Sequence, residues 1–357
     1  MFFGVFSFLL VFEFFIYFTD IDAKSLKPIL YYHNGDLPAY GPVENARRIF
    51  GLVPNSELTS IESMHPKETK YTEKTIRINS LGFRDKERSA EKPEGVYRII
   101  ILGESNTFGP SVNNEDTYPA VLERLLNEKY PSKFEVWNAG ISTYTMSQKV
   151  AYAEEIIEKY DPDLLIFQDN NSERRAFLLN YDYREYFKKN KELYRENIPL
   201  LIFPRRKEVA EPESSNERIH YFSVDHSGVY RFLMISINNI IANKHFKLYN
   251  ELQFDKKDKL YSQFYFYGMR RNYRDFKKFA VSHPNNKIVL LDANVGSSLM
   301  PTFLKEKEKY DNLDYFSLDN HNKTEEYKYC HPPSYVYEWY AHQIMEIFNK
   351  KDYFQSL

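Results

Sequence analysis

The chain has 357 residues, of which 43% are hydrophobic and 27% are charged, and its formal net charge is −2 at pH 7. This length and apolar content are enough for one α/β domain with additional segments. The nearly neutral charge argues against a protein that binds nucleic acid mainly through phosphate groups, because such proteins carry a clustered basic surface. The single cysteine, Cys330, excludes an intramolecular disulfide but does not indicate the redox compartment.

Residues 1–18 are almost entirely apolar, with Glu13 as the one charged side chain. A membrane-spanning helix needs about 20 apolar residues, with a lower limit of about 17. The stretch lacks the basic start and the small-residue cleavage site of a signal peptide. We therefore predict an N-terminal membrane anchor helix over residues 1–18, with an apolar helix packed on the domain as the alternative. Neither flank is strongly basic, so charge does not define the orientation in the membrane.

The segment 19–92 carries few signals of regular structure. Five prolines interrupt it, and only residues 74–79 alternate in the manner of a strand before a turn at 80–82. We predict that 19–92 is a lead-in segment that packs on the main domain and has no core of its own. The main domain is predicted to span residues 93–350.

From residue 96 onward, strand and helix patterns alternate. Apolar runs predict strands at 96–102, 134–140, 164–170, 286–293 and 313–319, and helical spacing predicts helices at 117–130, 147–160, 263–281 and 334–350. This alternation is typical of βαβ units, so we predict a three-layer α/β/α domain with a central parallel sheet. The polar, aromatic stretch at about 172–250 has no clear period and is predicted to be an insertion or cap over the sheet.

Polar residues follow three of the predicted strands. Ser105 comes after the first strand, Asn138 and Thr143 mark the end of the second, and Asn171 follows the third. Ligands bind outside the carboxyl ends of parallel strands, and a serine there is either a nucleophile or simply a helix cap. Asparagine amides and backbone N–H groups can stabilise an oxyanion. His331, in a loop before the last helix, is a candidate base for the serine, with a solvated loop histidine as the alternative.

These motifs resemble the SGNH or GDSL hydrolases, a flavodoxin-like group of esterases, lipases and carbohydrate deacetylases. The family's Gly-Asp-Ser stands here as Gly103-Glu104-Ser105, its Asn-x-Gly-x-x-Gly as residues 138–143, and its Gly-x-Asn-Asp as residues 169–172. The stretches RINSLGFRDKE and EDTYPAVLERLLN also resemble membrane-anchored bacterial members. The likeness covers residues 74–171 well and 286–348 loosely.

The resemblance implies roles for particular residues. Ser105 would be the nucleophile, and the oxyanion would be held by the N–H groups of Ser105 and Thr143 and by the Asn171 side chain. Thr143 stands where the family has glycine, so its Cβ is expected to narrow the pocket, or to disfavour a positive φ if the turn requires one. Ser172 replaces the aspartate that ends the third motif.

The fourth family motif, Asp-x-x-His, matches least well. His331 fits best because a proline and a helix follow it, but Lys328 occupies the position of the acid. His321 is the second candidate for the base. The orienting carboxylate is absent, or is replaced by a backbone carbonyl, or comes from one of three nearby acids: Asp319, Glu325 and Glu326. Loss of that acid can cost on the order of 10⁴ in rate in a serine-protease triad.

The sequence and the resemblance together predict an esterase-type hydrolase that acts on an acyl ester of a glycan or lipid through Ser105 and His331. Two alternatives stay open: an O-acyltransferase of the same fold, and a degenerate member that binds without turnover. We expect a membrane-anchored protein whose catalytic domain is extracytoplasmic. No cofactor, metal or nucleic-acid partner is predicted, since CxxC, HExxH, GxGxxG and P-loop patterns are absent. A thiol nucleophile at Cys330 is disfavoured, because adjacent loop residues rarely face each other.

Overall fold

A computed structural model gives the architecture of the chain. It describes residues 2–25, 39–45, 47–48, 50–62, 72–131, 133–169, 198, 200, 202, 214–250, 272–293, 300–305, 309–318 and 331–354. The chain divides into two compact units, one formed by Met1–Asn34 with Glu173–Arg271 and the other by Gly35–Ser172 with Asn272–Leu357. The predicted lead-in segment 19–92 is thus shared between both units.

The described elements follow one another in this order along the chain. The strands are β1 (Tyr40–Pro42), β2 (Phe50–Leu52), β3 (Glu57–Glu62), β4 (Thr72–Arg77), β5 (Tyr97–Gly103), β6 (Phe134–Gly140), β7 (Leu164–Asp169), β8 (Lys287–Asp292) and β9 (Leu313–Ser317). The helices are α1 (Phe2–Thr19), α2 (Ile21–Ser25), α3 (Ser105–Phe108), α4 (Tyr118–Lys129), α5 (Met146–Tyr160), α6 (Ser215–His226), α7 (Gly228–Asn250), α8 (the helical residues 272–282), α9 (Met300–Lys305) and α10 (Ser334–Lys350).

The second unit is built on a five-stranded parallel sheet with the order β6-β5-β7-β8-β9. β1 with β2 and β3 with β4 form two separate antiparallel hairpins. The strands of the sheet read as continuous apolar runs because helices cover both faces, which is typical of parallel sheets. Gly103 of β5 is in register with Gly140 of β6, so the ends of these strands meet at the same carboxyl edge. The predicted central parallel sheet is confirmed.

Helices cover the sheet on two sides. Ile99 and Ile101 belong to a buried cluster with apolar side chains of α4 and α10, whereas successive strand residues point to opposite faces. On the opposite face, the ring centroid of Phe167 lies 5.1 Å from that of Phe276 and 5.3 Å from that of Phe279, both on α8. The predicted three-layer α/β/α architecture is therefore confirmed.

Side chains of α4 and of the segment after β4 bind the free edge of β6. An edge strand presents unpaired backbone groups, and here side chains bind them: Glu123 accepts from Val136 N (2.7 Å) and Asp85 from Asn138 N (3.4 Å). Arg88 donates to the Val136 carbonyl and forms ion pairs with both carboxylates. Burial raises the pKa of the Asp85 carboxyl to about 6, although Arg88 lies beside it. The lead-in segment thereby contacts the strand that leads to Asn138.

In the first unit, α1 packs along α7. The rings of Phe12 and Phe232 meet edge to face at a centroid distance of 5.9 Å, and Ile16 is 2% exposed. The Glu13 carboxylate accepts hydrogen bonds from the first residues of α7 and the residue before it: Ser227 Oγ, Gly228 N and Val229 N. A carboxylate at a helix N-terminus satisfies backbone donors that have no partner within the helix.

Within the described residues, no helix is both long and apolar enough to cross a membrane. The prediction of a membrane anchor over residues 1–18 is therefore not supported. One face of α1 packs on α7 and the Glu13 carboxylate lies at the start of that helix, whereas other large apolar side chains of α1, such as Phe6, Phe8 and Phe14, are exposed.

Candidate active site

Ser105 is the first residue of α3, directly beyond the carboxyl end of β5. The helix cap is the preceding residue, Glu104, and no side-chain hydrogen bond caps the helix. Ser105 is half-buried, and among the described residues no hydrogen bond to its Oγ is found. Thr107 N and Phe108 N both donate to the Glu104 carbonyl. Ser105 is thus not the residue that caps this helix.

The turn between β5 and α3 requires glycine at position 103. A Cβ added to Gly103 would lie 1.8 Å from Thr107 Oγ1 and 2.8 Å from Gln168 Oε1. Thr107 Oγ1 is hydrogen-bonded to Gln168 Oε1 and, at 2.9 Å, to Tyr118 OH. All of these side chains are buried. The close approach of strand and helix therefore fixes α3 against the ends of β5 and β7.

Asn138 and Gly140 hold the end of β6 against α3. Asn138 Nδ2 donates to the Thr107 carbonyl (2.9 Å), and its Oδ1 accepts from Gly140 N (2.9 Å). A Cβ on Gly140 would lie 2.4 Å from Phe108 N, a distance that real Cβ atoms do not reach. Two residues of the second sequence motif thus orient the helix that carries Ser105.

Thr143 lies in the turn between β6 and α5 with a φ of 73°. A β-branched residue in the left-handed region is an outlier that costs of order 1–3 kcal/mol. Its Oγ1 is also buried, and no hydrogen-bond partner for it is found in the part of the chain that the structure describes. The turn therefore does require the positive φ that glycine would adopt freely, and strain of this kind clusters at functional sites.

Replacing Thr143 with glycine is expected to raise the free energy of unfolding by about 1 kcal/mol. Relief of the left-handed strain outweighs the greater chain entropy of glycine, about 0.5–1 kcal/mol. Urea-induced unfolding of the two proteins measures the difference. Thr143→Val keeps the β-branched strain and removes only the hydroxyl, so it separates the two contributions. A Thr143→Gly protein less stable than the wild type would contradict this account.

The loop that carries His331 is tied to the segment after α3. The Ser111 hydroxyl, buried, donates to the Pro332 carbonyl. Nearby, the ring of Tyr118 on α4 stacks on that of Tyr337 on α10 at 6.3 Å. His331 itself is half-buried. One hydrogen bond thus joins the residue after the predicted base to a position six residues beyond Ser105.

Several predicted site residues lie outside the described residues. Asn171 is one of them, and so is Lys328, which stands at the position of the family's acid. The others are the alternatives for base, acid and nucleophile: Asp319, His321, Glu325, Glu326 and Cys330. Their predicted roles stay predictions. Within the described part of the chain, no group of three or more His, Cys, Asp or Glu side chains is placed to hold a metal ion.

Two buried basic side chains near the carboxyl edge were not predicted from the sequence. Arg84 is 1% exposed and donates to the carbonyls of Phe108, Gly109 and Val112. Burial lowers the pKa of its guanidinium to about 10. Lys149 of α5, also 1% exposed, donates from Nζ to the Gln168 carbonyl at 2.6 Å. The only sequence signal for Arg84 is its place in the stretch RINSLGFRDKE, and Lys149 has none.

Comparison with known proteins gives similarity at the level of solved structures. No protein-family model and no curated protein matches the sequence. The chain is similar to the psychrotrophic esterase EstA from Pseudoalteromonas sp., with 10% identity and a TM-score of 0.37, over 71% of this chain and 97% of that one. It is also similar to a protein from Desulfitobacterium hafniense assigned to a lipolytic G-D-S-L family, with 14% identity and a TM-score of 0.33, over 70% and 98% of the two chains.

A third similar structure is an acetylxylan esterase from Geobacillus stearothermophilus, with 14% identity and a TM-score of 0.19, over 52% of this chain and 96% of that one. The solved structures similar to this chain thus include one assigned to the G-D-S-L family, the family that the motifs around Ser105 resemble.

Proposed function

We propose that this chain is an esterase-type hydrolase that forms an acyl-enzyme at Ser105. The observation that carries the proposal is the setting of this serine. It starts a helix at the carboxyl edge of a parallel sheet, where ligands bind in such folds, and it is not used as a cap. The hydrogen bond from the Ser111 hydroxyl to the Pro332 carbonyl joins the loop that carries His331 to the segment that follows α3.

The proposed reaction has two steps. Ser105 Oγ attacks the ester carbonyl while His331 takes its proton, and the resulting imidazolium then protonates the alcohol as the C–O bond breaks. Water, deprotonated by the same imidazole, attacks the acyl-enzyme; the imidazolium then returns that proton to Ser105 Oγ as the acyl C–O bond breaks, which releases the acid and the free serine. Each step passes through a tetrahedral oxyanion.

The start of α3 supplies donors for that oxyanion. The first N–H groups of a helix have no partner within it. Among the described residues, no hydrogen bond from Ser105 N or Asn106 N to another backbone group is found. These groups favour a negative charge that forms beside Ser105. Preorganised donors of this kind contribute about 10²–10³ each in rate. The N–H of Thr143 and the side chain of Asn171 are the predicted further donors.

The acyl group, the alcohol and the location outside the cytoplasm stay predictions, with an ester of a glycan or lipid as the proposed substrate class.

One observation favours the non-catalytic alternative. Thr143, in a turn that requires a positive φ, has a side chain where glycine would leave space. A pocket narrowed in this way would admit small acyl groups most easily, so we expect acetyl esters to be the best substrates of an active enzyme.

The experiment that tests the function uses the purified chain with 4-nitrophenyl esters of increasing acyl length. We expect nitrophenol release above the buffer rate, fastest for the acetyl ester, with an initial burst equal to the enzyme concentration if deacylation is slow. Addition of a sugar acceptor separates hydrolysis from acyl transfer, since a transferase would give an acylated sugar. A folded chain that releases no nitrophenol and gains no acyl group would contradict both the hydrolase and the acyltransferase hypotheses.

A further inference from the structure

We propose that Arg84 is a positioning residue for Ser105, an inference that rests on the proposed function. Arg84 belongs to the segment between β4 and β5, which supplies no predicted catalytic group. Its guanidinium donates to the carbonyls of Phe108, Gly109 and Val112, and its Nε donates to Asn114 Oδ1 at 3.3 Å. All of these acceptors lie within nine residues of Ser105, on the chain that runs from α3 to α4.

α3 depends on such external contacts because it is a single turn of four residues. A helix this short does not hold its own shape, since nucleation costs more than one turn of hydrogen bonds returns. Gly109 ends the helix in the left-handed conformation with a φ of 81°, and a Cβ there would lie 2.9 Å from Arg84 Nη1. The arginine thus lies directly against the end of the turn whose first residue is Ser105.

The environment of Arg84 indicates why a charge is present there. A buried charge is costly unless polar groups compensate it. Among the described residues no ion pair of Arg84 is found, and the carboxylates of Glu115 and Asp116 act on it only through space. The compensation comes from the three carbonyls and from the ring of Phe108, whose centroid lies 5.0 Å from the Arg84 Cζ. These partners and Asn114 Oδ1 belong to the segment that α3 begins, so the geometry of that segment depends on the guanidinium; Tyr40 and Tyr337, on other elements, also favour the charged form.

Arg98 provides a matched control. It is 0% exposed and likewise donates to backbone carbonyls, among them those of Ala90 and Tyr160, and it pairs with Glu135. It lies near the start of β5, at the opposite end of the strand from Ser105. Replacing either arginine removes a buried fork of donors, but only one of the two forks contacts the chain around α3.

The test compares Arg84→Lys and Arg98→Lys in the full chain, with kcat and KM for a 4-nitrophenyl ester and thermal unfolding as readouts. A lysine keeps the charge, but its donors all lie on one nitrogen, so it does not reproduce the planar guanidinium that spans the three carbonyls. We expect Arg84→Lys to lower kcat about 10²-fold with KM changed less than about threefold, as a displaced nucleophile would. Arg98→Lys is expected to lower the unfolding temperature at least as much and to leave kcat of the folded protein within about twofold.

Unchanged kcat in folded Arg84→Lys, with the wild type active, would overturn the inference and leave the proposed function standing. Equal losses of kcat in both variants would also overturn it, because they would indicate a general effect of destabilisation. A wild type without turnover would overturn both proposals. If Arg84→Lys does not fold, Arg84→Gln retains two donors without the charge and is measured in the same way, with a fall in kcat at constant KM as the expected result.

Discussion

A Ser105→Ala protein is expected to hydrolyse a 4-nitrophenyl ester at least about 10³-fold more slowly than the wild type, as loss of the nucleophile does in serine hydrolases. Its unfolding temperature is expected to stay the same. The structure gives the reason for this combination: the cap position belongs to Glu104, and no hydrogen bond to Ser105 Oγ is found among the described residues. Removal of a helix cap would instead cost about 1 kcal/mol of stability.

The control is Ser89→Ala, which removes the hydroxyl of an exposed serine in the segment before β5 and is expected to change neither rate nor stability. Kinetics and thermal unfolding are measured on the same preparations. A Ser105→Ala protein with wild-type turnover would exclude the acyl-enzyme at this residue. A large loss of stability without loss of rate per folded molecule would mean that Ser105 has a structural role and no catalytic one.

The sheet and the position of Ser105 could be predicted because the signals that define them are local. Residues Ile99–Leu102 are fully buried on both faces, and a continuous apolar run of this length indicates a strand covered by helices. The glycine that follows marks the close approach of strand and helix. The end of the strand, and therefore the place of the serine at the carboxyl edge, can be read from about ten residues.

The contacts that fix the site could not be predicted in this way, since they join distant parts of the chain. The bond from Ser111 to Pro332 spans 221 residues, and that from Arg84 to Phe108 spans 24. Hydrophobic periodicity reports which face of an element is buried, but it does not report which polar atom meets which carbonyl. A buried arginine also violates the usual preference of charged residues for the surface, so sequence reasoning places it in solvent.

The apolar helix α1 shows a different limit of prediction from sequence. Its composition is the same whether its neighbours are lipid tails or protein side chains, so apolar length alone favoured a membrane anchor over residues 1–18. The partners of Glu13 lie 214 to 216 residues further along the chain, at Ser227, Gly228 and Val229. A single acidic residue within an apolar run was the available signal, and its function as a helix-terminus acceptor became visible only in the fold.

A His331→Ala protein is also expected to lose at least about 10³-fold in kcat/KM, because a serine hydroxyl without a base is a weak nucleophile. The fold should be unaffected, since the bond that ties this loop to Ser111 uses the main-chain carbonyl of Pro332 and the substitution leaves that carbonyl in place. Added imidazole is expected to restore part of the rate by entering the space left by the side chain. Steady-state kinetics with and without imidazole measure both effects.

Two further histidine variants separate the base from its alternatives. His342→Ala alters an exposed residue of α10 and is expected to behave like the wild type, so it controls for the loss of any histidine near this helix. His321→Ala tests the second candidate for the base. Full activity in His331→Ala together with loss in His321→Ala would move the base to the earlier loop position. Full activity in both variants would mean that Ser105 is activated without either histidine, and the two-residue mechanism would then be wrong.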